Sequence, residues 1–529
     1  MRLAVAALVS SLALATACAA AVATGNTSLT SAAPAHEPIL PIQAGDAYYT
    51  KAAEAVDTRI AQRGIKPAKN IILFIGDGMG ISTITAARIY AGQSAGVDGE
   101  SYRLAMETLP SSALSKTYSH DYQVADSAAT ATAMTAGLKT KSGFLGVSGA
   151  VNFGNCASVP GNEADTIFEL AYRSGLATGV ISTARITHAT PGSTYAKVPH
   201  RNWEADSDMR GASSDTCKDI ARQLIEGAAS DFDVIMGGGR SKFLPKETQD
   251  PEYTDQTGDR ADGRNLMEEW ATKGGDRATF TDQAGFDAVN FDSDIKVLGL
   301  FEPSHMQYEL DREQDTAGEP SLEAMTRAAI TRLARNDEGF VLMVEGGRID
   351  HAHHAGNAIR ALEDTLAFDA AIAAALEMTN AEDTLIIVTA DHSHTFTING
   401  YPQRGNPILG LVTAGASAEG GSLGADGLPY TTLSYANGPG ACRETGKDEE
   451  GKPIYDCKRY DLTGVDTMAP DFRQQSLVPL YSETHGGEDV AAFASGPGSM
   501  LISGVIEQNE LFHVMGRAIG LIPAPATEE

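Results

Sequence analysis

Five short apolar runs rich in β-branched residues, Asn70–Ile75, Thr178–Ser182, Phe232–Met236, Phe340–Val344 and Thr384–Val388, each end in a polar cluster. Helix-like stretches precede and separate them, among them Ala47–Arg63, Glu163–Ser174, Ser321–Arg335 and Ala358–Met378. This alternation predicts an α/β fold, a three-layer sandwich with a mostly parallel central sheet and helices on both faces. Residues from about 397 to 473 break the pattern. Rich in Gly, Pro and Tyr and holding two cysteines, they read as an insertion that forms a small β-rich or irregular subdomain.

The start of the chain reads as a signal peptide over residues 1–21. Arg2 gives the positive start, Leu3 to Ala15 the apolar run, and Ala17, Ala19 and Ala21 the small residues of a cleavage site. Two cleavages stay open. Ala15-Thr16-Ala17-Cys18 is a loose lipoprotein site, with Leu14 one place early, so that Cys18 would carry a lipid. Cleavage after Ala19 or Ala21 would discard Cys18. A small, polar tether is expected over 22–46, then one catalytic domain over 47–521. No later stretch is long and apolar enough to span a bilayer. The chain is therefore expected to be exported: periplasmic, extracellular or lipid-anchored at the envelope. Four cysteines remain, Cys156, Cys217, Cys442 and Cys457, an even number suited to an oxidising compartment. The net charge of −29 argues against a nucleic-acid partner.

In parallel α/β sheets, ligands bind beyond the carboxyl ends of the strands. The residues there are Asp77 after the first run, His188 and Thr190 after the second, Glu345 after the fourth, and Asp391 with His392 after the fifth. One such carboxylate is ordinarily a solvated side chain or a helix cap; four strands delivering metal-type ligands to one edge are not. In Glu345-Gly-Gly-Arg-Ile-Asp350-His-Ala-His-His354, a helix starting near Ile349 would put Asp350 and His354 on one face, as two ligands of one ion. His351 and His353 read as bystanders. Asp391-His392-Ser-His394 is a second cluster. Ser127 opens a helix of small residues, where backbone N–H groups and the helix dipole favour a phosphate; an ordinary capping serine is the plain alternative.

The motifs NIILFIGDGMG (Asn70–Gly80), Asp126–Thr130, Val344–His354, TADHSH (Thr389–His394) and ETHGGEDVAAFAS (Glu483–Ser495) resemble those of the alkaline phosphatase family, over about Ala47 to Leu521. The resemblance implies hydrolysis of phosphate monoesters through a phosphoserine on Ser127, two zinc ions, one magnesium ion, a homodimer, and a crown-like form for the insertion. It implies that Asp77, Ser127, Asp391 and His392 surround one zinc, and that Asp350, His354 and His485 bind the other. Asp77, Thr190 and Glu345 would hold magnesium. Arg201 matches the arginine that clamps phosphate, and His394 a histidine behind the zinc ligands. His188 and His351 resemble the animal-type enzymes; enterobacterial members carry Asp and Lys there. A Cys156–Cys217 bridge matches the animal type, and Cys442–Cys457 would close a short loop within the insertion. A calcium site on Glu252, Glu302, Glu319 and the Phe301 carbonyl is also implied, Glu319 departing from the family's Asp. An acidic patch in an acidic chain is the alternative.

The chemistry is coherent. A phosphate monoester dianion repels nucleophiles, so the site must supply positive charge. Two-metal sites with ions about 4 Å apart, phosphatases among them, clamp the attacking and leaving oxygens of an in-line displacement. A phosphodiesterase, sulfatase or phosphonate hydrolase is the rival within the same chemistry; Arg201 with Ser127 favours the monoester. A non-catalytic phosphate-binding lipoprotein would have lost the nucleophile or a ligand, and none is missing.

Overall fold

The computed structural model describes residues 36–413 and 422–523. The expected signal segment, Cys18 and the start of the tether lie outside the described residues. Ten strands form the main sheet: β1 (Asn70–Gly76), β2 (Ser111–Lys116), β3 (Ala177–Arg185), β4 (Val234–Gly238), β5 (Arg277–Phe280), β6 (Lys296–Leu300), β7 (Phe340–Gly346), β8 (Thr384–Ala390), β9 (Val490–Ser495) and β10 (Gly504–Glu507). Their spatial order is β10-β2-β9-β8-β1-β7-β3-β4-β6-β5. Strand β9 pairs antiparallel with β2 and β8, and the other pairs run parallel.

Alternate residues of the central strands feed two cores. Ile71, Leu73, Ile75, Val341 and Met343 belong to one, with Val56, Phe168, Leu511 and Phe512 from helices on that side. Ile72, Phe74, Leu342 and Val344 belong to the other, with Ile84, Met325, Leu362 and Phe368. A sheet buried on both faces needs continuous apolar strands, which is why these runs are so plain in the sequence. The architecture is the expected three-layer α/β sandwich.

Three of the four expected helices are met closely, while Glu163–Ser174 shortens to Ile167–Arg173, capped by Thr166. Helix α1 is Ala47–Arg63, capped by Asp46, whose carboxylate accepts from Tyr48 and Tyr49 N–H. The long helix is Ala358–Met378, and Ser321 caps Leu322–Leu333. The run read as Phe232–Met236 is shifted: β4 starts at Val234 and takes in Gly237 and Gly238 before turning at Gly239. The described end of the expected tether is docked, not free. Gln43 is buried, donating to the Ala136 and Asp165 carbonyls at 2.8 and 2.9 Å, and Ile39 N–H donates to the Leu521 carbonyl at 2.9 Å.

After β8 the chain builds a three-stranded sheet from Phe396–Ile398, Leu433–Gly438 and Ser476–Pro479, and a hairpin of Arg443–Lys447 with Pro453–Asp456. That sheet starts one residue before the bounds 397–473, at Phe396, and takes its strand Ser476–Pro479 from just beyond them. Disulfides join Cys156 to Cys217 and Cys442 to Cys457, with Cα atoms 5.6 and 4.0 Å apart. No helix among the described residues is long and apolar enough to cross a membrane.

Candidate active site

The carboxyl ends of β1, β3, β7 and β8 converge. Asp77 directly follows β1, Glu345 is the penultimate residue of β7, and Asp391 and His392 follow β8. His188 and Thr190 lie on the turn after β3, Thr190 in the short helix Ala189–Gly192. The helix Arg348–His354 begins just after β7, so that Asp350 and His354 share a face. His485 reaches the site through a two-residue bridge, His485–Gly486 pairing with Ser393–His394.

Ser127 is the first residue of helix α2 (Ser127–Ala136). The capping role falls to Asp126, whose Oδ1 accepts from Ala129 N–H at 3.2 Å. The Ser127 hydroxyl is thus free of capping duty, and its Oγ lies 3.1 Å from His392 Nε2. Asp126 Oδ2 also holds Arg201 Nη1 at 3.2 Å, and Arg201 Nη2 lies 3.1 Å from His188 Nε2. The guanidinium is held by Asp126, the residue next to the serine in the chain, and by His188.

Two ligand sets emerge from the distances. In the first, His354 Nε2 and His485 Nε2 are 3.2 Å apart, and each lies near Asp350 Oδ1, at 3.4 and 3.5 Å. In the second, His392 Nε2 is 3.4 Å from Asp77 Oδ1, 3.2 Å from Asp391 Oδ2 and 3.1 Å from Ser127 Oγ. Ligands held 2.0–2.1 Å from a tetrahedral ion are about 3.3 Å from one another. Both sets match that edge. The histidines present the right atom: Nδ1 of His354, His485 and His392 donates to the carbonyls of Glu483, Ala125 and Ser393 at 2.6, 2.8 and 3.3 Å. Nε2 is left with its lone pair for a cation. Burial pushes the His392 pKa down to about 3 and His485 down as well, so both rings are neutral, as ligands must be.

The carboxylates need that cation. Asp77 is fully buried, and neither of its oxygens has a hydrogen-bond partner; Asp391 Oδ2, Glu345 Oε1 and Thr190 Oγ1 are orphaned too. Burial, with Asp391, Asp350 and Glu345 nearby, pushes the Asp77 carboxyl far above its ordinary range, and burial takes Glu345 to about 8. Ligand atoms of Asp77, Glu345 and His188 lie within 4.8 Å of one another, a third set richer in oxygen. His188 therefore stands closer to this set than the role of a residue behind the ligands suggests.

His394 is placed otherwise. Its Nε2 donates to Asp350 Oδ1 at 2.7 Å and its Nδ1 to Glu483 Oε2 at 2.5 Å. Burial opposes its charge, but the two carboxylates win and take its pKa up to about 10. An imidazolium there orients Asp350. His353 is a satisfied core residue, bonded to Thr83 Oγ1 at 3.0 Å and Tyr435 Oη at 2.8 Å. His351 lies against His305, with ring centroids 4.0 Å apart.

Two residues of consequence carry no role in the sequence reading. Glu483 opens the ETHGG motif but is one carboxylate among 69 acidic residues. Asp315 adds to the calcium expectation: the structure gathers Glu252 and Glu302 with Asp315, within 4.8 Å. Glu319 is buried nearby; its Oε1 accepts from Gln307 N–H at 2.8 Å, and its Oε2 has no hydrogen-bond partner. The Phe301 carbonyl accepts from Arg240, which also holds Glu252 Oε2 at 2.9 Å.

A family model described as alkaline phosphatase matches residues 68–521. The chain belongs to the alkaline phosphatase family. The tissue-nonspecific alkaline phosphatase of Gallus gallus is 43% identical to it over 463 residues, 86% of this chain and 85% of that one. Among solved structures, alkaline phosphatase from Thermus thermophilus shares the fold with a TM-score of 0.60 at 25% identity, over 86% of this chain and 92% of that one. A histidine-to-aspartate variant of the alkaline phosphatase of the bacterium TAB5, solved with Mg bound in its M3 site, gives 0.55 at 25% identity, over 86% of this chain and 99% of that one. The residues matched to the alkaline phosphatase family span the whole main sheet and every candidate ligand from Asp77 to His485.

Proposed function

We propose that this chain hydrolyses phosphate monoesters through a phosphate carried briefly on Ser127 Oγ, at a centre of two zinc ions and one magnesium ion. Membership of the alkaline phosphatase family makes metal-dependent phosphate monoester hydrolysis its activity. The observation that carries the finer reading is the pair of ligand sets whose spacings, 3.1 to 3.5 Å, match the edges of a zinc tetrahedron.

Asp77, Asp391, His392 and Ser127 would hold one zinc, and Asp350, His354 and His485 the other. Asp77, Thr190 and Glu345 offer oxygens to magnesium, the ion that prefers them. Bound there, the cations supply positive charge to the phosphate and lower the pKa of a coordinated hydroxyl. Arg201, held by Asp126, can take two phosphate oxygens at once. Ser127 Oγ attacks phosphorus, the bond to the alcohol oxygen breaks, and the alcohol leaves on the opposite side. Water then attacks the phosphoserine and returns Ser127 and inorganic phosphate.

A calcium ion on Glu252, Glu302 and Asp315 belongs to the same reading; burial and the neighbouring Glu252 push Glu302 up to about 7, a strain a cation relieves. A homodimer is also part of it, and the exposed Leu477, Leu480 and Tyr481 offer an apolar face. The disulfides fit export. The test is release of p-nitrophenol from its phosphate and from the bis-phosphate diester, with and without chelator. Preference for the monoester, lost with chelator and restored by zinc and magnesium, is expected. Preference for the diester would overturn the reading.

A further inference from the structure

Aromatic rings run from the interior to the surface beside Arg201. Phe144 is buried, and Phe153 stacks on it with centroids 6.1 Å apart and planes at 19°. Phe153 also lies 4.6 Å from the His200 ring, which stacks on Trp203 at 5.7 Å. Trp203 packs with Met209 against the Cys156–Cys217 disulfide, three residues beyond Phe153 in the chain. The ladder therefore has a rigid base. Phe153 is its open rung, at 62% exposure. One exposed ring is ordinary on a protein surface; what matters here is its position.

Asp126, beside the serine, joins this ladder to the phosphate clamp. Its Oδ2 accepts from Arg201 Nη1 at 3.2 Å and from Gly143 N–H at 3.0 Å. Arg201 N–H donates to the Gly143 carbonyl at 2.8 Å, and Gly154 N–H to the Pro199 carbonyl at 3.1 Å. The loop bearing Phe153 is thus bonded to the segment bearing His200 and Arg201. Phe153 covers Gly143, where a Cβ would come within 3.2 Å of the ring. Gly143 has a φ of 80°, which a side chain would strain, so the floor between ring and clamp stays bare.

We propose that Phe153, backed by His200, is a stacking platform for the leaving group, and that the site favours phosphate monoesters whose alcohol carries a flat aromatic or heteroaromatic ring, as in aryl phosphates and nucleoside monophosphates. This rests on the phosphomonoesterase reading above. These bonds set the Phe153 loop next to the phosphate clamp, and the exposed part of the Phe153 ring is what a leaving-group ring on that side would meet. Such pairing is sequence-blind, since every flat ring has a π-face.

The experiment compares kcat/KM of wild type, Phe153→Ala and Phe153→Trp on 1-naphthyl phosphate, adenosine 5′-monophosphate and glycerol 3-phosphate. The ratio of an aromatic substrate to glycerol 3-phosphate should fall roughly three- to tenfold in Phe153→Ala, through KM, and return in Phe153→Trp. A fall for either aromatic substrate supports the platform and shows which ring it takes. An unchanged ratio for both, or a ratio that Trp leaves as low as Ala does, would overturn it. A wild type that releases phosphate from none of the three would instead bring down the phosphomonoesterase reading itself.

Discussion

At the scale of single residues, Glu483 does more than its place in the sequence suggests. Its carboxylate accepts from His394 Nδ1 at 2.5 Å and from the N–H and hydroxyl of Thr395, both at 2.6 Å. Its carbonyl accepts from His354 Nδ1 at 2.6 Å, and its N–H donates to the His354 carbonyl at 2.9 Å. One residue thus orients His354 directly and Asp350 through His394. Groups that orient metal ligands typically contribute 10- to 100-fold in affinity. Glu483→Gln should therefore lose zinc roughly 10- to 100-fold more readily, measured as bound metal against graded chelator at fixed pH. Zinc retention equal to wild type would contradict this role. The candidate ligands are legible because spacing carries them: Asp350 and His354 are one helical turn apart, and Asp391 and His392 sit together at a strand end. Glu483, His305 and Asp315 meet their partners only through the fold, so no spacing announces them.

At the scale of elements, the five runs read from the sequence prove to be five adjacent strands, β8-β1-β7-β3-β4, at the centre of the sheet. They are apolar throughout because helices cover both faces. The unread strands lie outside them. Ser111–Lys116 is mostly polar, with only Ala113 and Ser115 buried, and Val490–Ser495 alternates buried and half-buried residues. Neither gives a continuous run. The helices were plainer, and the longest, Ala358–Met378, holds a charge in an awkward place. Asp364 is buried on its inner face, and burial pushes its carboxyl up to about 8. An unfolded Asp titrates near 4. Its folded pKa is raised, so its contribution to stability is full below about pH 4 and lost as pH rises through about 8. Asp364→Asn removes that dependence. The melting temperature of the variant minus that of wild type should climb between about pH 4 and about pH 8 and level off above. A flat difference would show that Asp364 stays ionised in the fold.

At the scale of the whole molecule, strand ends from distant parts of the chain meet at one edge of the sheet, and the buried carboxylates there are stable together only around cations. The same logic holds at the outlying set Glu252, Glu302 and Asp315. Calcium bound only by the folded state should raise the melting temperature by a few degrees at fixed zinc and magnesium. Glu302→Gln should lose that response, and an equal response in both proteins would reject the site. The active centre makes the sharper claim, that a phosphoryl group passes through Ser127. Helix α2 frees the Ser127 hydroxyl by giving the cap to Asp126, the residue that also holds the Arg201 guanidinium, and sets that hydroxyl 3.1 Å from His392 Nε2. Trapping the protein with labelled inorganic phosphate at acidic pH, followed by peptide mapping, tests this directly. Label is expected on Ser127 and none in Ser127→Ala, with turnover in that variant falling at least about a thousandfold. Label on any other residue, or label that survives in Ser127→Ala, would contradict it.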